Sequence, residues 1–316
     1  PRIPWSWPLV PRETGMALAY EILKDLLGCL LHWKKHREKE ARERPKKELL
    51  ERFRRIFAAQ GLQPMQGMRV VPALKRMKAA DLLDDDRLLQ CLDDEVLASL
   101  ADTFGVQRCW LEMAEDEDVY ASFHVYKRPS KFLELLIDLR SREAHAELHV
   151  VKGTENRLDS LGGSEPLAVF LREEIARPDE GEAVWRDIPI MDRWDWGHLP
   201  CRIQLKALAL MAWQFEVSVY SHVAPQQRID AFLDGKDLCG ELIRDTGIHS
   251  WHLDDYIFTC RESVRAKDES EALAARRYLE EQGLMAPLLE AVGRTTLRTP
   301  RPNWGDDRIS EEESEA

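Results

Sequence analysis

Apolar residues recur at helical spacing over residues 17–33, where Leu18, Ile22, Leu26 and the Leu30–Trp33 group share one stripe. That periodicity predicts an amphipathic helix whose stripe needs a partner. The run KKHREKEARERPKKE follows and interleaves its signs, as on a solvated helix held by i, i+4 pairs. Pro45 suits the first turn of a second helix. This helix, over about 46–60, is expected to bury Leu49, Leu50, Phe53, Ile56 and Phe57 and to end near Gly61. Pro64, Gly67 and Pro72 then allow only short pieces. DDDRLLQCL and DDEVLASLADTF each open on Asp, a helix-capping residue that also suits the N-terminal end of the helix dipole. In LASLADTFGVQRCWLE, Leu97 to Glu112, a helix runs to Phe104 and stops at Gly105. Glycine takes the left-handed conformation that ends a helix. Val106 then fills the corner, and Trp110–Leu111 begin a further short helix.

After AEDEDV the period falls from helical to two. VYASFHVYK (119–127), AHAELHVVKG (144–153), EAVWRDIPI (182–190) and FEVSVYSHV (215–223) read as strands. PSKFLELLIDLRS, SEPLAVFLREEI and PCRIQLKALALMAWQF read as the helices between them, giving a β-α-β-α-β-α-β order. The predicted class is α+β or α/β with two domains: a short-helix bundle, then an α/β layered domain. The expected divisions are a tag-like or non-native leader over 1–15 and an amphipathic and charged helix over 16–45. A helix bundle over 46–115 and an α/β domain with Trp-rich loops over 116–295 follow, then a disordered acidic tail over 296–316.

Composition narrows this picture. The 316 residues are 44% hydrophobic and 32% charged, which suits a globular chain. The six Cys show no CxxC pair, which argues for reduced thiols in a cytoplasmic protein rather than a zinc site or disulfide scaffold. The most apolar stretch, MALAYEILKDLLGCLLHW, is interrupted by Glu21, Lys24 and Asp25, so no integral membrane span is expected. Charge is uneven: residues 31–80 carry fifteen Lys or Arg against five Glu, on a chain of net charge −12. Such a basic portion suits phosphate backbones.

LASLADTFGVQRCWLE resembles the closing helices of the Cro/C1 (XRE) type helix-turn-helix domain. It carries a leucine-alanine pair, a phenylalanine-glycine-valine corner and a tryptophan-leucine pair. The resemblance covers about residues 46–114 and implies a bacterial-type DNA-binding transcriptional regulator. Its C-terminal domain would sense a ligand or mediate self-association, and the 17–33 helix would serve a homodimer. The DNA-reading helices map to about Gln63–Met77. The residues implied in DNA contact are Gln63, Gln66, Arg69, Lys75, Arg76 and Lys78. The family's glutamine-rich turn is absent here, and Pro64, Gly67 and Pro72 fall inside the segment. The alternative is an adaptor that uses a degenerate bundle to bind a protein partner. One exposed basic face from Arg69 to Lys78 would favour DNA; a face split at Pro72 would favour the adaptor.

Chemistry-bearing clusters are few. Trp194, Asp195, Trp196 and His198 lie together, either as an aromatic cage for a ligand or as Trp anchors of a loop. His249, His252, Asp254 and Asp255 offer metal-binding or acid–base groups in a spacing that is not specific. His145, Glu147 and His149 alternate on one strand face, read as the polar solvent face of an edge strand. GxGxxG, GxxxxGK[ST] and GxSxG are all absent. No catalytic residue, metal ligand or cofactor is predicted.

Overall fold

A computed structural model describes residues 12–112, 117–153, 164–177, 183–244, 246, 253 and 266–298. The 1–11 part of the leader, the HSWHLDDY cluster apart from Leu253, and the tail beyond residue 298 lie outside them. The chain divides into two units, Pro1–Glu51 and Arg52–Ala316.

Most of the first unit is one helix. α1 (Arg12–Ala59) runs 48 residues and passes through Pro45, where separate helices were expected. Proline removes one backbone hydrogen bond, but side-chain pairs bracket the gap: Arg44–Glu48 at 2.6 Å and Lys46–Glu43 at 3.5 Å. Residues 32–41 are exposed on every face, as the interleaved signs predict.

The second unit begins with the last turns of α1, where Phe53 and Phe57 are buried. Their rings stack edge to face at 5.0 Å, and Phe57 meets Phe104 at 5.5 Å. Around them pack α2 (Pro64–Val70), a 3-10 turn (Pro72–Arg76), α3 (Ala79–Leu83), α4 (Asp85–Cys91), α5 (Asp94–Phe104) and α6 (Arg108–Leu111). Asp84 accepts from the Arg87 amide and Asp93 from the Val96 amide, capping α4 and α5. Gly105 ends α5 at φ 76°, and Val106, Trp110 and Leu111 turn inward.

The remainder is an α+β assembly around a mixed sheet. Its strands are β1 (Ala146–Gly153), β2 (Pro166–Ala176), β3 (Val184–Pro189), β4 (Trp194–Asp195) and β5 (Ser218–Ala224). The order is β3-β2-β1-β5, with β4 beside β2. β1–β2 and β2–β3 are antiparallel, whereas β5 lies parallel to β1, reached through α8 (Leu199–Gln214). One sheet face, with Leu148, Val150, Val169 and Leu171, joins the core formed with α7 (Pro129–Ser141), α8, α11 (Ala266–Glu281) and α12 (Met285–Ala291). α9 (Gln226–Leu233) packs on the other face, where the Phe232 and Phe170 rings are 5.8 Å apart. α10 (Cys239–Arg244) follows it.

Two expected elements differ. SEPLAVFLREEI is not a helix but strand β2, buried through most of its length. A short apolar run reads equally as buried helix or buried strand, and pairing on both edges decided the matter. VYASFHVYK forms only an isolated bridge, Val106 to Tyr120, because side chains and separate loops take its backbone groups. Gln107 Nε2 donates to the Asp118 and Tyr120 carbonyls, and Asp192 Oδ2 accepts from the Val125 and Tyr126 amides. The expected two-domain arrangement is not confirmed, since the helices from residue 52 onward and the sheet belong to the same unit.

Candidate functional site

The expected DNA-reading segment is two pieces. α2 has seven residues and the 3-10 turn five, joined by Val71 in extended conformation at φ −87° and ψ 116°. Proline at 72 cannot donate the bond that would continue α2. Gln63 caps α2, and its amide donates to Gln66 Oε1 at 2.6 Å, so Gln66 is turned back on its own helix. Arg69, Lys75 and Lys78 are exposed. Arg76 is held by Asp93 at 2.7 Å and by Glu95. Val71, Leu74 and Met77 point into the core.

The Trp loop is an anchor by geometry. Trp194 and Trp196 are only 1% and 2% exposed. Asp195 accepts from Ser164 Oγ at 3.0 Å and from the Glu165 and Gly197 amides at 2.8 Å. The cations facing Trp196 belong to the chain itself: Arg202 at 5.9 Å and Lys206 at 5.5 Å from the ring centroid. Both also bind Glu271, Arg202 through Nε at 2.8 Å and Lys206 at 2.7 Å. Burial works to raise the Glu271 carboxyl, but these hydrogen bonds outweigh it and hold the group below its ordinary range. His198 precedes α8 and is exposed.

The most concentrated polar chemistry lies on the sheet face beneath α9. Glu147 and His149 alternate on β1, and His222 stands on β5. His149 Nε2 is 3.1 Å from Glu147 Oε2, and His149 Nδ1 is 2.9 Å from His222 Nε2. His222 Nδ1 is in turn 3.1 Å from Thr246 Oγ1. A carboxylate, two imidazoles and a hydroxyl thus form one continuous row. Register places Phe170 and Tyr220 on either side of His149, and both rings stack on it, at 5.2 and 5.4 Å. Burial first, then the Arg172 charge, push the His149 imidazole down against the pull of Glu147. Burial, with His149 and Arg172 nearby, lowers His222 to about 4.

Next to this row, Arg172 on β2 donates from Nε to Asp187 on β3 at 2.8 Å. Arg172 also donates to Gln60 Oε1 at 3.1 Å, and Tyr120 donates to Asp187 Oδ2 at 3.2 Å. The Cys239 amide donates to Tyr120 Oη at 3.0 Å. Burial raises the Tyr120 hydroxyl and the Cys239 thiol well above their ordinary ranges. This network fastens the helical layer, through Gln60, to the centre of the sheet.

Glu147 and His149 share one face of β1 as expected, but His145 lies just before the strand, and the environment differs from the one expected. β1 is an interior strand, and His149 is 3% exposed. His145 alone faces solvent, its Nε2 3.9 Å from Glu147. Sequence reasoning also missed His222, Arg172 and Asp187. His222 alone carries a legible signal, alternating with the valines of SVYSHVA. Arg172 is followed by Glu173 and Asp187 preceded by Arg186, a charged pattern that does not mark buried groups. Among the described residues, no three His, Cys, Asp or Glu side chains stand where they would hold a metal, and no helix is long and apolar enough to cross a membrane. No protein family, characterised protein or solved structure matches this chain.

Proposed function

We propose that this protein is an interaction protein, in which the helical layer is a scaffold for contact with a protein partner rather than a reader of DNA bases. The observation that carries this reading is the break at Val71, between α2 and the 3-10 turn. Base readout needs several side chains aligned along one helix in the major groove. Here Arg69 lies on α2, Lys75 and Arg76 on the 3-10 turn and Lys78 at the start of α3, and Arg76 is engaged by acids. The surface also presents apolar contacts: Met65 on α2 is 47% exposed and Leu83 on α3 is 74% exposed. Isolated exposed apolar residues are ordinary; two of them on helices that pack together add to the case. The satisfied nitrogens of His149 speak for interior cohesion rather than catalysis at the sheet.

The second reading, a DNA-binding regulator of the helix-turn-helix type, draws on Arg69, Lys75 and Lys78, which remain exposed. Cations of this kind grip the phosphate backbone in a salt-sensitive way without sequence choice. Fluorescence anisotropy of a labelled mixed-sequence duplex, from low to physiological salt, separates the two. The interaction reading expects no saturable binding at low salt. Binding that falls steeply with salt and is lost in Arg69→Ala/Lys75→Ala/Lys78→Ala would overturn it in favour of nucleic acid.

A further inference from the structure

A cavity of about 210 Å³ lies between the first turn of α7 and the turn joining α11 to α12, lined by Lys127, Arg128, Pro129, Ser130, Lys131, Gln282 and Leu284. It shares no residue with α2, α3 or the histidine row, and its lining is mostly cationic and polar. Lys127, Arg128 and Lys131 bring three positive charges within five residues. Among the described residues none of the three makes an ion pair, although most other Arg side chains described in this unit do; Lys127 Nζ lies 5.3 Å from the centroid of the Tyr126 ring. Ser130 and Gln282 add a hydroxyl and an amide to the lining. Lys127 sits at φ 60°, a conformation costly for a residue with a Cβ, while its amide is fixed by Gln204 Oε1 at 2.7 Å. Pro129, the first residue of α7, is buried, and its ring fixes φ in the backbone between Arg128 and Ser130.

Three like charges gathered around one concavity raise the local positive potential and favour an anion there. Among the described residues no carboxylate lines that place, even though the net charge of the chain is −12. We infer that this cavity is a binding site for a phosphate group carried on a small ligand. Guanidinium and ammonium groups make charge-assisted hydrogen bonds to phosphate oxygens, with Arg128 able to engage two at once. Ser130 and Gln282 supply neutral donors to the remaining oxygens. The volume falls below the roughly 300–1,000 Å³ of sites that enclose drug-sized molecules. It suits a phosphate monoester with a short organic residue. This site goes beyond the interaction reading and stands or falls without it, since the cavity shares no residue with α2 or α3.

The test is calorimetric titration of the full chain with inorganic phosphate, glycerol phosphate and a phosphoserine peptide, with sulfate and the unphosphorylated peptide as comparators. Amide chemical-shift mapping accompanies it. The expected result is a single site for the phosphate compounds, with shifts confined to residues 127–131 and 282–284. Lys127→Ala/Arg128→Ala/Lys131→Ala should weaken binding by about tenfold or more, since each exposed cation gives a modest contribution and the three act together. Glycerol phosphate binding at least as well as the phosphoserine peptide upholds a small-ligand phosphate site; a marked preference for the peptide would overturn it in favour of a phosphorylated chain. Sulfate binding equally well, shifts elsewhere on the wild-type protein, or no heat from any compound would overturn it. The wild-type shift map decides the matter even if the triple variant fails to fold.

Discussion

Asp187→Ala is the sharpest probe of how the helical layer and the sheet are joined. Asp187 is 3% exposed and Arg172 7% exposed. The carboxylate accepts from Arg172 Nε at 2.8 Å, from Tyr120 Oη at 3.2 Å and from Gln60 Nε2 at 3.4 Å. Its removal leaves a buried guanidinium with only Gln60 Oε1 as a polar partner among the described residues, together with the face of Trp185 at 5.3 Å. Stranding one member of a buried ion pair costs about 3–5 kcal/mol, a large part of the roughly 5–15 kcal/mol that holds a typical domain. Urea unfolding followed by far-UV circular dichroism and tryptophan fluorescence should show the midpoint fall with little change in slope. Arg172→Leu/Asp187→Leu should recover much of the loss, because the pair is replaced by apolar volume rather than broken. A loss below about 1 kcal/mol for Asp187→Ala would refute the reasoning, since water would then be reaching the guanidinium.

Three further outcomes follow from the same geometry. Phe57→Ala empties the contact between Phe53 and Phe104 and should cost about 3–5 kcal/mol by thermal or urea unfolding. Gly105→Ala should cost about 1–3 kcal/mol, because φ is 76° and a Cβ would stand 2.5 Å from the Asp187 carbonyl oxygen. Acid should destabilise the fold through the imidazoles. The folded His222 value of about 4 lies below the ordinary value near 6.5, so its contribution is fully present above about pH 6.5. It is lost as pH falls towards 4, where the unfolded chain has taken up the proton, a change of about 3 kcal/mol at most. His222→Gln should flatten that part of the stability–pH curve, and an unchanged curve would count against the row as drawn.

Local grammar was legible wherever a residue acts on its own backbone. Asp84 and Asp93 cap because a short carboxylate reaches two or three residues ahead. Gly105 stops α5 because glycine takes the positive φ found there without the strain a Cβ brings. α7 and α8 followed from uninterrupted helical apolar spacing. Three elements were not legible, for a common reason. Pro45 lies inside α1 because flanking pairs hold the helix. Segment 119–127 is not a strand because Gln107 and Asp192, distant in sequence, occupy its backbone groups. SEPLAVFLREEI is β2 because β1 and β3 accept it on both edges. Each outcome depends on a partner that no local pattern reveals.

The histidine row shows the same limit in chemical form. The alternation of His145, Glu147 and His149 places all three on one face, and an exposed antiparallel edge is the simplest home for such a face. Exposure is set by what covers the strand, and here β5 arrives through α8 to lie parallel on the open side of β1. Its register brings His222 beside Val151, one step along from Tyr220 opposite His149, close enough for imidazole to bond imidazole. A parallel partner joined by a helix cannot be assigned a register from periodicity, because a shift of one residue would turn His222 to the other face. Tyr220 and His222 share period two with apolar Ala224, so strand β5 itself was foreseeable while its neighbour was not. The row therefore exists only as a product of topology: β1 supplies a carboxylate–imidazole pair, β5 the second imidazole, and the turn after α10 the hydroxyl that ends it.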